Sequence, residues 1–145
     1  MPIYKHTQPG TAIRIILAGA VLFALFILLL QPDDPASLTV TASVMVVLGV
    51  LIVLFNSITA SVSLDEVRVS LGPGLIRKQF RIEEIRTATQ VKNQWYYGWG
   101  VRLTPHGWLY NVSGFDAVEL LLKTGKKFRI GTDDPAGLAE AIQKM

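Results

Sequence analysis

The sequence predicts an α+β membrane protein: a helical hairpin that crosses a bilayer twice, then an antiparallel β-barrel or sandwich closed by a C-terminal helix. Three observations carry this reading. Two uncharged apolar blocks, Ile15 to Leu30 and Leu38 to Phe55, are separated only by the acidic break QPDDPAS. From Ile58 onward the continuous apolar character gives way to alternation with a period of two residues. The chain then ends in a short helical period behind Asp133-Asp134-Pro135.

The apolar blocks come first. A bilayer core about 30 Å thick needs roughly 20 helical residues. The blocks meet that length as spans over 11–30 and 38–58, with Arg14 near enough to a helix end to reach the surface. Lys5 and Arg14 flank the start of the first span, Asp33 and Asp34 occupy the break, and 12 of the 14 basic residues follow the second span. Basic residues close to span ends stay on the cytoplasmic side, so both termini are expected in the cytoplasm and the chain in the inner (plasma) membrane. A cleaved signal peptide fits poorly. Its small-residue cleavage site should follow the apolar run, whereas Ala18-Gly19-Ala20 lies near the start of that run. Residues 1–60 are therefore expected to form an N-terminal arm and membrane hairpin, and 61–145 a cytoplasmic domain.

Neither span carries an ionisable residue at its centre, which argues against a self-contained transporter or channel. Gly19, Ala20, Ala24 and Gly49 are candidates for close helix packing, within the hairpin, against a second copy or against another membrane protein. Thr39, Thr41 and Ser43 can bond to carbonyls of their own helix.

The alternating segments follow in order. VRVSL points Val67, Val69 and Leu71 one way, and LGPGL supplies a turn. LIRKQFRI alternates Ile76, Phe80 and Ile82 with Arg77, Gln79 and Arg81, and IRTATQV continues. WYYGWGVRL reads as a strand with Trp95, Tyr97, Trp99, Val101 and Leu103 on one face. AVELLLKTGKKFRIGT reads as a hairpin, with Val118, Leu120 and Leu122 returning against Phe128 and Ile130. About seven strands are expected in all. In TDDPAGLAEAIQKM an Asp caps a helix with Pro135 at its first position, and Leu138, Ala141 and Ile142 form one apolar stripe.

With its GPG turn before an alternating strand, its AVELLLKTGKKFRIGT hairpin and its closing DDPAGLAEAI helix, the segment from about Ser61 to Ile142 resembles a bacterial pleckstrin-homology-like (PH-like) domain. Such domains often follow membrane spans. The resemblance implies a non-catalytic, membrane-tethered binding or scaffolding domain and transfers no catalytic residues.

Composition narrows the chemistry. There is no cysteine, and His6 and His106 are the only histidines, His106 in the turn TPHGW. No catalytic set, metal site or cofactor site is expected. A net charge of +3 is too small and too dispersed to argue for nucleic acid. Asn111-Val112-Ser113 matches a glycosylation acceptor by chance, given a cytoplasmic domain.

Two clusters remain as candidate contacts with lipid or a partner. In the aromatic run from Trp95 to Tyr110, alternation assigns Trp95, Tyr97 and Trp99 to the core. Tyr96 and Trp108 are then left for a headgroup layer or a partner groove. Lys123, Lys126, Lys127 and Arg129 form a basic strand edge that either blocks sheet-to-sheet pairing or attracts anionic lipid. The expected function is a membrane-anchored scaffold whose partners are membrane lipid and another protein or further copies of itself. The alternative is an accessory or regulatory subunit of a membrane transporter or membrane enzyme.

Overall fold

Strand β1 (Tyr4–Pro9) precedes the apolar helices in the chain, yet it pairs with the strand that follows them. This is seen in a computed structural model that describes residues 2–30 and 34–145. Helix α1 (Thr11–Leu30) starts one residue after β1, and helix α2 (Pro35–Leu54) returns alongside it. Both are long and apolar enough to cross a membrane. The tight turn expected between them falls on Gln31, Pro32 and Asp33, outside the described residues. Asp34 caps α2: its carboxylate accepts from the Ala36 and Ser37 amides, and Pro35 occupies the first turn.

The second helix differs from the expected span of 38–58, because it begins at Pro35 and stops at Leu54. Ile58 is in β2 (Ser57–Val62), only 2% exposed in the sheet core. The apolar block ends at Phe55, and Asn56-Ser57 mark the passage from helix to strand, so the expected span ran past that polar boundary to Ile58. Residues on both sides of the expected division at 60/61 contribute to one sheet, since β1 pairs with β2 from Pro9↔Ser57 to Tyr4↔Val62.

That sheet is completed by β3 (Glu66–Leu71) and β4 (Ile76–Arg81), in the order β1-β2-β3-β4. The second sheet contains β5 (Ile85–Lys92), β6 (Gly100–Thr104), β7 (Gly107–Asn111), β8 (Asp116–Leu122) and β9 (Lys127–Gly131), in the order β5-β8-β9-β7-β6. Nine strands thus replace the expected seven among the described residues. The sheets are also not wholly antiparallel, because β7 and β9 run parallel through Trp108↔Phe128 and Tyr110↔Ile130.

The core lies between the sheets. Val67, Val69 and Leu71 are fully buried as their alternation requires, against Val118, Leu120 and Ile130 of the β8–β9 hairpin. Helix α3 (Pro135–Gln143) packs on β5, β8 and β2, so it bridges both sheets. Its buried positions are Leu138, Ala139 and Ile142, with Ala141 at the margin. Asp134 caps it by accepting from the Gly137 amide at 3.0 Å. The Tyr4 hydroxyl donates to the same carboxylate at 2.9 Å, tying β1 to the last helix. Burial, and then the hydrogen bond to Asp134, raise the Tyr4 phenol far above its ordinary value, so it stays a neutral donor.

The expected packing residues of the hairpin separate into two groups. Ala20 and Ala24 are half-buried on the inner side of α1, near buried Leu17. Gly19 and Gly49 are exposed, and a Cβ on either would meet nothing within 4 Å, so neither serves the α1–α2 contact. Thr39 and Ser43 donate back to the carbonyls of Pro35 and Thr39, as their spacing predicts.

Candidate functional site

The second sheet must be crossed to join its edges: β5 lies at one side and β6 at the other. Residues 93–99 make that crossing over the face turned away from the core. A cross-strand row on this face reads Thr89, Glu119, Arg129, Leu109, Arg102. Asn93, itself 6% exposed, donates its backbone N–H to Phe115 O at 2.7 Å and accepts at Oδ1 from Arg129 Nη1 at 3.2 Å. Arg102 Nε donates to Trp99 O at 2.9 Å, holding the far end of the crossing. Leu109, beneath it, is fully buried.

This corrects two expectations. WYYGWG is not a strand face: Trp95–Tyr97 form a single 3₁₀ turn that ends at Gly98 with φ +66°. Trp95 and Tyr96 are among the most exposed aromatics, at 75% and 62%, and Tyr97 and Trp99 are half-buried. The alternation is real in the sequence, but the segment crosses the strands instead of pairing with them, so no second layer covers its apolar side. Arg129 is likewise no surface charge. It is 6% exposed, and its Nε and Nη2 each reach Glu119 Oε2 at 2.8 Å, while Lys127 Nζ reaches the other oxygen at 3.1 Å. Burial alone would raise the Glu119 carboxyl, but its hydrogen bonds from Arg129 and Lys127 outweigh that and hold it below its ordinary value. β9, moreover, is the central strand of its sheet, so the basic hairpin is not an edge needing protection.

The remaining candidate residues fall in two places. Tyr96 lies with Tyr97, Arg102, Leu103, Thr104 and Pro105 around a shallow depression at the β6 edge. The Trp95, Tyr96 and Tyr97 rings meet edge-on in sequence, with centroids 5.8 and 5.0 Å apart. Leu103 is 70% exposed and pairs across the strands with Trp108, 43% exposed. Tyr96 and Trp108 thus both border Leu103. Sequence alternation had placed Leu103 in the core, and only its position on an edge strand explains why it is open.

Lys123 and Lys126 lie elsewhere, at the tip of the β8–β9 hairpin beside Glu83, Glu84 and the groove of Phe80 and Phe128, over which Lys78 Nζ sits 5.8 Å from the Phe128 ring. This tip is at the end of β8 away from the helices. The other end of β8 adjoins Ser113, whose hydroxyl accepts from the Ala12 amide in the first turn of α1 at 3.3 Å. Seven residues at about 3.3 Å each put the lysines about 20 Å along the strand from that contact.

Asn111 is 1% exposed and engaged with the Ser113 amide and Gly114 O, so its side chain is closed to a modifying enzyme. His106 occupies the turn after Thr104, facing the Tyr97 ring at 6.2 Å. Among the described residues no group of three His, Asp or Glu side chains gathers as metal ligands. No family model, curated protein or solved structure matches this chain. What the arrangement offers is contact chemistry: an aromatic sheet edge on a domain joined directly to apolar helices.

Proposed function

We propose that the chain is a membrane-anchored, non-catalytic binding protein. In this reading the α1–α2 hairpin holds a PH-like domain at the inner face of the plasma membrane, both termini are cytoplasmic, and the domain recruits a protein partner or further copies of itself. The single observation that carries it is the β6 edge, where Tyr96, Leu103 and Trp108 are large, apolar and uncovered beside unpaired strand backbone. Two packed sheets with a closing C-terminal helix support the PH-like reading; the parallel β7–β9 pair and the added β1 are departures from it.

Lipid contact at the basic hairpin tip is disfavoured by its position. If the bilayer surface lies at the helix ends, Lys123 and Lys126 stand about 20 Å out along β8, well beyond the ~8 Å screening length of physiological salt. The accessory-subunit reading retains one supporting observation, the open Gly19 and Gly49 faces on the outside of the hairpin.

Purification of the full chain in mild detergent tests the proposal. Tyr96→Ala and Trp108→Ala should each lose the copurifying partner or the higher oligomer, because anchoring aromatics carry more interface energy than rim charges. Lys123→Glu with Lys126→Glu, at the exposed hairpin tip, should leave it in place. Retention in both aromatic variants, with the fold intact, would move the interface to the helices. Reporter fusions check the orientation: activity typical of the outside is expected only at Asp34, and an external C-terminus would overturn it.

A further inference from the structure

The helices and the sheets are joined by almost no chain. Gly10 alone separates β1 from α1, and Phe55-Asn56 alone separate α2 from β2. The joint is also closed by contacts. Gly10 N donates to Asn56 O, and Gly72 N to Ser57 O, both at 2.8 Å. Gly72 has φ +51°, and a Cβ there would stand 2.4 Å from Val53 O, so the Gly72-Pro73-Gly74 turn is pressed against the end of α2. From the other sheet, Ser113, between β7 and β8, accepts from Gln8 Nε2 at its carbonyl and from the Ala12 amide at its hydroxyl, at 3.2 and 3.3 Å. The domain therefore cannot swing away from the helix ends, and the side chains on this rim stay at their level.

Those side chains have the character of a membrane interface. Leu75, just past the Gly72 turn, is 73% exposed, and Phe115 is 36% exposed. Trp99 stands beside Phe115, ring centroids 6.0 Å apart, with its indole N–H donating to Gly114 O. Arg14 reaches Asn56 O from the first turns of α1, and exposed Lys92 lies in register with Asp116 next to Phe115. The opposite end of the domain mixes Asp65, Glu66, Glu83 and Glu84 with Arg81, Lys123 and Lys126.

We infer that this rim is a second membrane-contact surface, with Leu75, Trp99 and Phe115 seated in the headgroup layer of the leaflet that α1 and α2 enter, and Arg14 and Lys92 facing lipid phosphates. The inference rests on the reading of the hairpin as a membrane anchor. The headgroup layer is about 5–8 Å deep on each side of the hydrocarbon, shallow enough for a rim joined without a linker to lie in it. Aromatic rings with an apolar body and a polar atom favour that layer. The rim thereby fixes which way the β6 edge faces.

The absence of cysteine allows a direct test. Phe23→Cys on α1, Leu75→Cys on the rim and Lys126→Cys at the hairpin tip are all at exposed positions. Each full-length variant is labelled with a small environment-sensitive fluorophore. It is then reconstituted in phosphatidylcholine–phosphatidylglycerol vesicles bearing nitroxides either on headgroups or at mid-chain. The Phe23 label should be quenched by the mid-chain nitroxide, the Leu75 label by the headgroup nitroxide, and the Lys126 label several-fold less than either. Quenching at Phe23 with Leu75 no more quenched than Lys126 overturns the rim contact and leaves the anchor standing. No quenching at Phe23 overturns the anchor, and the rim contact with it. Trp99 retained alone (Trp95→Phe with Trp108→Phe) should respond to the headgroup nitroxide, while Trp108 retained alone should not; equal responses count against the rim.

Discussion

Leu138→Asp is expected to destabilise the domain by about 2–4 kcal/mol, a large part of the roughly 5–15 kcal/mol that holds a typical domain folded. Leu138 has no exposed surface, and α3 sets it where β5, β8 and β2 converge, so a carboxylate there has neither water nor a cationic partner. The effect should reach beyond α3, because the helix also holds β1 through Tyr4 and Asp134. Thermal unfolding of the full chain in detergent measures it. Glu140→Ala, on the exposed side of the same helix, should stay within about 0.5 kcal/mol, since its pair with Lys144 is open to solvent. A wild-type melting curve for Leu138→Asp would mean that α3 does not close the core.

Arg129→Ala is the second large effect, about 3 kcal/mol, because it leaves the mostly buried Glu119 with only the more exposed Lys127 as partner and the crossing at Asn93 without its staple. Replacing both charges together, Arg129→Met with Glu119→Gln, should recover part of that loss, which separates an uncompensated charge from lost packing. The pair also has a pH signature. The folded Glu119 carboxyl lies below its ordinary value, so the fold favours the charged form. Its contribution is complete above the ordinary glutamate range and is lost as pH falls through the lower folded value. Melting temperatures from neutral pH down to about pH 3 should therefore fall with an acid-side slope that Arg129→Ala reduces. An unchanged slope would assign the acid sensitivity to other carboxylates.

The Trp95 to Arg129 region marks where local reading stops. A period of two tells which side chains share a face but says nothing about what covers that face. Glu119 and Arg129 alternate outward from Val118, Leu120 and Ile130 as the sequence predicts. They are nonetheless shielded, because a segment from the far side of β5 is laid over them. Trp95 and Tyr96 are open for the converse reason: they belong to that covering segment, and nothing lies above it.

By itself the sequence determined the features that form within a few residues of one another. These are the two apolar helices, the Val67–Leu71 strand with its glycine turn, the β8–β9 hairpin, and α3 with its Asp-Pro start. Each follows from apolar spacing, turn residues or a cap, whose effects are short in range. Only the tertiary structure decided that YKHTQP is a strand, since it has little apolar pattern and gains its ladder solely from β2, beyond both helices. The same holds for the parallel β7–β9 pair. Strand pairing and burial depend on which distant segment arrives alongside, and that information resides in the assembled fold, not in any one stretch of residues.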